Sequence, residues 1–347
     1  MKNTALKLLN WYNESNYLMP WRESPNPYNI WISEIMLQQT QVQTVKKYYN
    51  NWMKKYPSID NLSHADIDDI LKLWEGLGYY RRAHNILETS QIIVSEYNGN
   101  IPNSYKALIQ LKGIGDYTAS AILSIAFEKK YPAIDGNLKR VLSRLFIIKQ
   151  NNRLQDNAKK YALQFMINNN PGDVNQAFMD LGREICLPKK PKCNICPLNL
   201  DCKALITDTT DKYPLKSLKK IKPSYDVIVG VIYKNNKFLI SKRKKEGLLG
   251  GLWELPGGKK KKNEKNHDCL HREIKEELNI DIKIQNKIGI IKHEYSHFKI
   301  NLIGYNCNYK KGNIKPLASD GLAWIINKNI KNFAFPKSTI KLFNIMD

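Results

Sequence analysis

Apolar residues recur at helical spacing through the first half of this chain of 347 residues. The pattern predicts a first helix over residues 4–17, whose apolar positions lie mostly in the core. It predicts a long helix that opens at Ser33 and runs to about Tyr56, and a further helix over 155–168. The first half is therefore expected to be mainly α-helical.

The pattern changes after a polar, basic and proline-punctuated stretch over residues 208–223, which is typical of a linker. Two strand-like runs, 226–233 and 237–243, then flank Asn235-Asn236, a hairpin signal. A helix over 267–278 and further strands follow. The pattern predicts two domains, a helical one over 1–205 and an α/β one over 225–347, joined by a linker over 206–224.

A glycine turn, LKGIG, divides two of the helical stretches in the first domain. Gly113 and Gly115 supply the positive φ angles that such a turn needs. The helix after the turn is predicted over Tyr117–Phe127, with Asp116 and Thr118 as possible caps. Free N–H groups at a helix start can hold a phosphate, although glycine turns between core helices are also common.

Charge gives moderate support for a polyanionic partner. Lys and Arg number 55 against 32 Asp and Glu, a net charge of +23. Part of this excess is a lysine enrichment typical of AT-rich genomes, because Lys, Asn and Ile are abundant throughout. The chain begins without the apolar run of a signal peptide and contains no stretch of transmembrane length. We expect a cytoplasmic, nucleoid-associated monomer without a membrane partner.

Four of the six cysteines are clustered with the spacing C-x₆-C-x₂-C-x₅-C, at Cys186, Cys193, Cys196 and Cys202. Such close spacing favours metal ligation over disulfides. Four thiolates can bind zinc or a [4Fe–4S] cluster, and the spacing alone leaves both open. Asp180, on the helix before this segment, is expected at most to support the metal site.

Glu34 is the first candidate for acid chemistry. Its sequence neighbours are apolar, and burial would raise the pKa of its carboxyl. The alternative is an ordinary acid in the first turn of a helix that opens at Ser33. Gln38, Gln39 and Thr40 follow as three neutral polar residues, which suit hydrogen bonding to base edges.

The segments PWR and WISEIMLQQTQV, with GLGYY and the glycine turn, resemble the A/G-specific adenine DNA glycosylases (the MutY family). This family belongs to the helix–hairpin–helix glycosylases, and the resemblance implies removal of adenine mispaired with 8-oxoguanine or guanine in double-stranded DNA. It implies that Glu34 is the general acid, that Asp135 stabilises the sugar cation, and that Tyr117 and Asn137 orient the reaction. Lyase-active relatives carry a lysine where this chain has Tyr117, so the enzyme is expected to be monofunctional.

The resemblance also implies the DNA contacts. Trp21 and Arg22, expected in a loop, would line the adenine pocket, and Gln39 and Thr40 would contact the opposite base. Tyr79 would intercalate beside the lesion, whereas Tyr80 is expected in the core. Gly113 and Gly115 would approach the phosphate backbone, together with Lys112. The cysteine spacing is that of the cluster-bearing glycosylases, which favours a [4Fe–4S] cluster over zinc.

The second domain resembles the Nudix fold. Gly258, Glu264 and the segment Arg272–Ile280 fit the Nudix box, except that Asn279 stands where glycine is usual. In the adenine glycosylases this domain reads 8-oxoguanine, which implies contacts from Ser296 and His297.

The intact box keeps an alternative open, a Mg²⁺-dependent nucleotide pyrophosphatase built on Glu273, Glu276 and Glu277. A DNA-binding protein without chemistry and a lyase-type pyrimidine glycosylase are further alternatives, the latter opposed by Tyr117. Cys269 and Cys307 are expected to be ordinary, semi-buried thiols.

Overall fold

Helices dominate the chain as far as residue 206 in the computed structural model, which describes residues 1–15, 17–148, 153–214 and 221–346. The helices are α1 Lys2–Ser15, α2 Pro20–Glu23, α3 Pro27–Leu37, α4 Val42–Lys55, α5 Ile59–Ser63, α6 Ile67–Leu73, α7 Arg81–Tyr97, α8 Tyr105–Leu108, α9 Asp116–Ile125, α10 Gly136–Phe146, α11 Leu154–Phe165, α12 Pro171–Glu184, α13 Lys203–Ile206, α14 Asn266–Leu278 and α15 Lys337–Phe343. No helix of the described ranges is long and apolar enough to cross a membrane.

The chain divides into two compact units. Unit 1 takes residues 1–64 and 85–218, and unit 2 takes 65–84 and 219–347. The predicted domain boundaries at 205 and 225 stay a prediction. In unit 1, one apolar core lies between α1, α10, α11 and α12, and its largest fully buried side chains are Phe165 and Phe178.

The helix that carries Glu34 begins earlier than predicted. Asn26 caps α3 by accepting a hydrogen bond from the Asn29 N–H at 2.8 Å, and Pro27 fits the first helical position. The prediction of one helix from Ser33 to Tyr56 is wrong, because the backbone breaks between α3 and α4, with Gln39 at φ +57°. Glu34 therefore lies two turns inside α3 rather than in a first turn.

The loop predicted around Trp21 and Arg22 is also wrong. Pro20 starts the short helix α2, in which it occupies the first position. Trp21 is only 4% exposed and packs edge-on against Tyr49, with ring centroids 5.4 Å apart. The burial and packing of Trp21 stabilise a helix where the prolines had led us to expect a loop.

The glycine turn leads into α9 as predicted, with Gly113 at φ +80°. The predicted side-chain caps are wrong, because extended Gly115 occupies the N-cap itself. Asp116 lies in the first turn, where it pairs with Lys159 at 2.9 Å, and Thr118 is buried inside the helix.

Unit 2 is built on a mixed sheet of seven strands. They are β1 Ser224–Lys234, β2 Lys237–Arg243, β3 Trp253–Glu254, β4 Gly257–Lys259, β5 Ile280–Glu294, β6 Lys299–Gly312 and β7 Ser319–Ile325. The main order is β3-β2-β1-β6-β5, with β1 and β6 parallel; β4 pairs with β1 and β7 with β2. The predicted hairpin is confirmed, since Asn235 and Asn236 both have positive φ between β1 and β2.

Helix α14 covers one face of the sheet and α15 the other. Cys269 on α14 and Cys307 on β6 lie in the core between the helix and the sheet, and both are fully buried, more so than predicted. The segment 65–84 is part of the same unit: Glu75 accepts a hydrogen bond from the Phe335 N–H at 2.8 Å.

Candidate active site

A cavity of about 450 Å³ in unit 1 brings together most of the predicted chemistry. It lies between α2, α3, the break after α3, α9, α10 and α12. The predicted residues that line it are Trp21, Arg22, Glu34, Gln39, Thr40, Tyr117, Asp135 and Asn137. Residues as far apart in sequence as Trp21 and Asn137 thus share one site, which the resemblance implied and the local sequence pattern could not.

Glu34 is 4% exposed and accepts a hydrogen bond from the Tyr117 hydroxyl at 2.7 Å. Burial raises the pKa of its carboxyl to about 7. The hydrogen bond from Tyr117 opposes this shift, the negative charge of Asp135 adds to it, and the positive charge of Arg22 opposes it. Glu34 is therefore a carboxyl that holds a proton close to neutral pH, which is the property of a general acid.

Asp135 is the N-cap of α10, and its Oδ1 accepts a hydrogen bond from the Leu138 N–H at 2.7 Å. Burial raises the pKa of this carboxyl, and the backbone N–H groups of Leu138 and Asn137 oppose the rise. Asn137 in turn accepts a hydrogen bond from Arg140 Nη2 at 2.8 Å. Gly182 permits this packing, since a Cβ there would lie 2.6 Å from the Asn137 Cβ.

One face of α12 supplies four cavity residues, of which the sequence analysis missed Gln176, Met179 and Arg183 and assigned Asp180 to another site. Their spacing of three and four residues is the signal that could have found them. Asp180 was expected at most to support the metal site, but it lines the cavity. It is fully buried and receives both terminal nitrogens of Arg22, at 2.7 and 3.1 Å.

The predicted DNA contacts outside the cavity fall into two groups. Gly113 and Gly115 are exposed in the turn before α9, and Lys112 beside them pairs with Glu88. Tyr79 and Ser296 belong to unit 2, where their hydroxyls form a hydrogen bond, and His297 is exposed next to Ser296. Tyr80 is buried, which confirms the prediction that it is a core residue.

The four clustered cysteines line one small cavity of unit 1, with Arg144 on its wall. None is in a disulfide. Arg144 Nη1 donates to Cys186 Sγ at 3.3 Å and to the Leu187 carbonyl at 2.7 Å. Burial raises the pKa of the Cys196 thiol to about 12. Among the residues the structure describes, no group of three or more His, Cys, Asp or Glu side chains could hold a metal ion.

The Nudix-box residues surround Arg272. Its guanidinium pairs with Glu264 at 2.7 Å, Glu273 at 2.6 Å and Glu276 at 3.2 Å. Asn279 ends α14 at φ +53°, a left-handed conformation that asparagine tolerates in place of the usual glycine.

A second cavity of about 610 Å³ lies beside α14 and is lined by Glu254, Glu273 and Glu277 among others. Burial raises the pKa of Glu277 to about 7, and the charge of Glu254 adds to the rise. Glu277 also accepts a hydrogen bond from the Gly257 N–H at 3.2 Å. The box carboxylates therefore differ in exposure, since Glu276 is exposed and Glu277 is half-buried.

Comparison with known proteins identifies the class first. Residues 32–164 match the model of the HhH-GPD superfamily base excision DNA repair proteins, and 228–344 match the NUDIX domain. The structure of a thermostable thymine-DNA glycosylase is 30% identical, with a TM-score of 0.55, over 58% of this chain and 95% of that one. An endonuclease III in complex with DNA, 21% identical, has the same fold, with a TM-score of 0.52 over 60% of this chain and 98% of that one.

The particular family follows from a full-length relative. The adenine DNA glycosylase of Buchnera aphidicola subsp. Schizaphis graminum is 38% identical over 351 residues, which cover 97% of both chains. The Homo sapiens adenine DNA glycosylase is 28% identical over 97% of this chain and 73% of its own length. The chain belongs to the adenine DNA glycosylase family of base excision DNA repair enzymes.

Proposed function

We propose that this protein removes adenine mispaired with 8-oxoguanine or guanine in duplex DNA and leaves the sugar–phosphate backbone intact. The observation that carries the proposal is the Glu34 carboxyl, buried in a cavity that also contains Asp135 and hydrogen-bonded to Tyr117 at 2.7 Å. Tyrosine cannot form a Schiff base with the sugar, which supports cleavage of the N-glycosidic bond alone.

The reaction needs an acid at the leaving base and a negative charge near the sugar. The adenine first leaves the base stack and enters the cavity. Glu34 donates its proton to adenine N7, the bond from the sugar to the base breaks, and the electron pair leaves with the base. The carboxylate of Asp135 stabilises the oxocarbenium-like sugar until water attacks it. Tyr117 and Asn137 hold these two carboxyls in place.

Recognition is divided between the two units. Trp21 and Arg22 contact the flipped adenine, whereas Gln39 and Thr40 contact the opposite base. Tyr79 enters the base stack beside the lesion, and Ser296 with His297 reads 8-oxoguanine. The hydrogen bond between the Tyr79 and Ser296 hydroxyls supports this assignment, because two side chains that read neighbouring bases are expected to lie close together. Gly113 and Gly115 bring the exposed turn before α9 to a phosphate.

The cysteine cavity fits a [4Fe–4S] cluster held by Cys186, Cys193, Cys196 and Cys202. All four unpaired thiols line it, and the guanidinium of Arg144 offers a positive charge and a hydrogen bond to Cys186. Four thiolates could also hold a single zinc ion, and the resemblance of their spacing to that of the cluster-bearing glycosylases is what favours the cluster. When bound, the cluster supplies four iron–thiolate links that fix the segment from 186 to 202. The lysines in that segment, 189, 190 and 192, then face a phosphate backbone.

A second function, nucleotide pyrophosphate hydrolysis, is favoured by one observation. Glu254, Glu273 and Glu277 line the same cavity of unit 2, where carboxylates can share Mg²⁺ beside a pyrophosphate. The full chain with Mg²⁺ and oxidised dGTP tests it, with Glu277→Gln as the variant. Release of pyrophosphate by the wild type and its loss in the variant would support hydrolysis; no release by the wild type would remove it.

The main proposal is tested by single-turnover release of adenine from a duplex with adenine opposite 8-oxoguanine. The wild type is compared with Glu34→Gln and with Glu96→Gln, an exposed glutamate of the same unit. We expect alkali-labile abasic sites from the wild type and from Glu96→Gln, and none from Glu34→Gln. Equal rates for all three would remove the role of Glu34, and an inactive wild type would remove the proposed function.

A further inference from the structure

Asp180 is a fully buried carboxylate between two arginines on the wall of the adenine cavity. It accepts hydrogen bonds from Arg22 Nη1 and Nη2 at 2.7 and 3.1 Å, and lies 3.0 Å from Arg183 Nη1. A buried carboxylate is tolerated when such partners satisfy it. The two-nitrogen contact fixes the plane of the Arg22 guanidinium as well as its position.

Arg22 has a second carboxylate within electrostatic reach. It lines the same cavity as Glu34, and its charge lowers the pKa of Glu34. A guanidinium can form only one two-nitrogen contact at its terminal pair, and Asp180 occupies it. Arg22 Nε is also buried, and it has no hydrogen-bond partner among the described residues.

The charges around Glu34 come from four elements. Tyr117 on α9 donates to it, Asp135 at the start of α10 adds a negative charge, and Arg22 on α2 adds a positive one. Asp180 and Arg183 on α12 lie behind Arg22. With Asp180 ionised, the cluster of Arg22, Arg183 and Asp180 carries a net charge of +1. Replacement of Asp180 by a neutral residue leaves the two arginines with a charge of +2.

We propose that Asp180 is a positioning residue that holds Arg22 on the cavity wall and keeps it from an ion pair with Glu34, so that Glu34 keeps its proton for the leaving adenine. This inference rests on the proposed function, because it assigns Asp180 a role through the general acid. It gives α12 a part in the chemistry, and it explains why a charged group is kept at a fully buried position.

The test is the pH dependence of single-turnover adenine release by the full-length wild type and Asp180→Asn, from pH 5 to pH 9. In the wild type, release falls as pH rises through the pKa of Glu34. We expect this fall to begin at lower pH in Asp180→Asn. Its rate should be about tenfold lower than the wild type at pH 7.5 and within a few-fold of it at pH 5.5, because each unit of pKa is a factor of ten.

Asp180→Glu, which restores the charge, is expected to return the fall toward the wild-type pH. The double variant Asp180→Asn/Arg22→Gln removes both charges and should show the fall at or above the wild-type pH, whatever its absolute rate. The double variant decides the question if Asp180→Asn alone does not fold.

A uniform loss of rate at every pH in Asp180→Asn would overturn the inference, because it would show a purely structural role. So would a fall at lower pH in the double variant. An inactive wild type would instead overturn the proposed function, and the two failures are thus distinguishable.

Discussion

The Tyr117 hydroxyl donates a hydrogen bond to Glu34 Oε2 at 2.7 Å, and this bond favours the ionised form of a carboxyl that burial keeps protonated. Tyr117→Phe removes the donor and leaves the ring. The pKa of Glu34 should then rise further above about 7, and adenine release should persist to higher pH than in the wild type. The pH dependence of single-turnover release measures this. Tyr161→Phe, whose ring stacks on Phe146 in the same unit, is the control and should not move the profile.

Glu34 should also make stability depend on pH. The pKa of its carboxyl is about 7 in the folded protein against 4.5 for the free side chain, so the folded state binds more protons between these values. Stability therefore falls as pH rises from about 4.5 to 7 and is level above. Glu34→Gln has no ionisable group at this position and lacks this loss. The unfolding free energy of the variant minus that of the wild type should therefore increase by about 3 kcal/mol from pH 4.5 to pH 8. Denaturant unfolding at both pH values checks this, and a constant difference would contradict it.

Asp135 caps α10 and is proposed to stabilise the sugar cation, and substitutions can separate these two roles. Asn caps a helix about as well as Asp, whereas Ala does not. Asp135→Asn should lower single-turnover release by about a hundredfold or more while unfolding free energy changes by less than about 0.5 kcal/mol. Asp135→Ala should lose the same activity and about a further 1 kcal/mol of stability. Retained activity in Asp135→Asn would show that the cap, and not the charge, is what the reaction needs.

The cysteine cavity predicts iron in the purified protein. Cys196→Ser should lose most of the bound iron and weaken binding to duplex DNA, because the segment that carries Lys189 and Lys190 is no longer fixed. Cys269→Ser, in the core of unit 2, should keep the iron of the wild type. Iron content and DNA affinity measured side by side decide the point. Zinc in place of iron in the wild type would refute the cluster.

Ser296 should affect the choice of opposite base more than the chemistry. Ser296→Ala removes a hydroxyl from the proposed 8-oxoguanine reader and the partner of Tyr79. We expect the preference for adenine opposite 8-oxoguanine over adenine opposite guanine to fall by about tenfold, the value of one hydrogen bond of about 1.4 kcal/mol. Single-turnover rates and affinities on both duplexes measure the ratio, with Ser95→Ala as an exposed control in unit 1.

The sequence predicted elements well where one local signal dominated. The Asn235-Asn236 hairpin is confirmed, since it depends on the turn chemistry of two adjacent residues. The prolines near the site led to a wrong prediction of a loop around Trp21 and Arg22. Pro20 and Pro27 were interpreted as loop residues, but each occupies the first position of a helix, where its missing N–H costs nothing.

The prediction of which residues meet in the cavity depended on the family resemblance. Glu34, Tyr117 and Asp135 belong to three separate elements, and no periodicity indicates that they meet. Asp180 was assigned to the wrong site for a different reason. An acid followed by an arginine three residues later on a helix is typical of an exposed ion pair, and only the fold shows that α12 turns this face inward.

The segment 65–84 has a consequence for how this chain can be divided. The segment lies within the helical half of the sequence, yet its polar side chains bond to the backbone near the end of the chain, between β7 and α15. Glu75 accepts a hydrogen bond from the Phe335 N–H, and Lys72 donates one to the Phe333 carbonyl. Truncation of the chain in the linker would remove both backbone partners and expose the apolar side of α6, where Ile70 and Leu71 are fully buried. A chain truncated at the linker is therefore expected to be prone to aggregation and proteolysis rather than to act as a free-standing module.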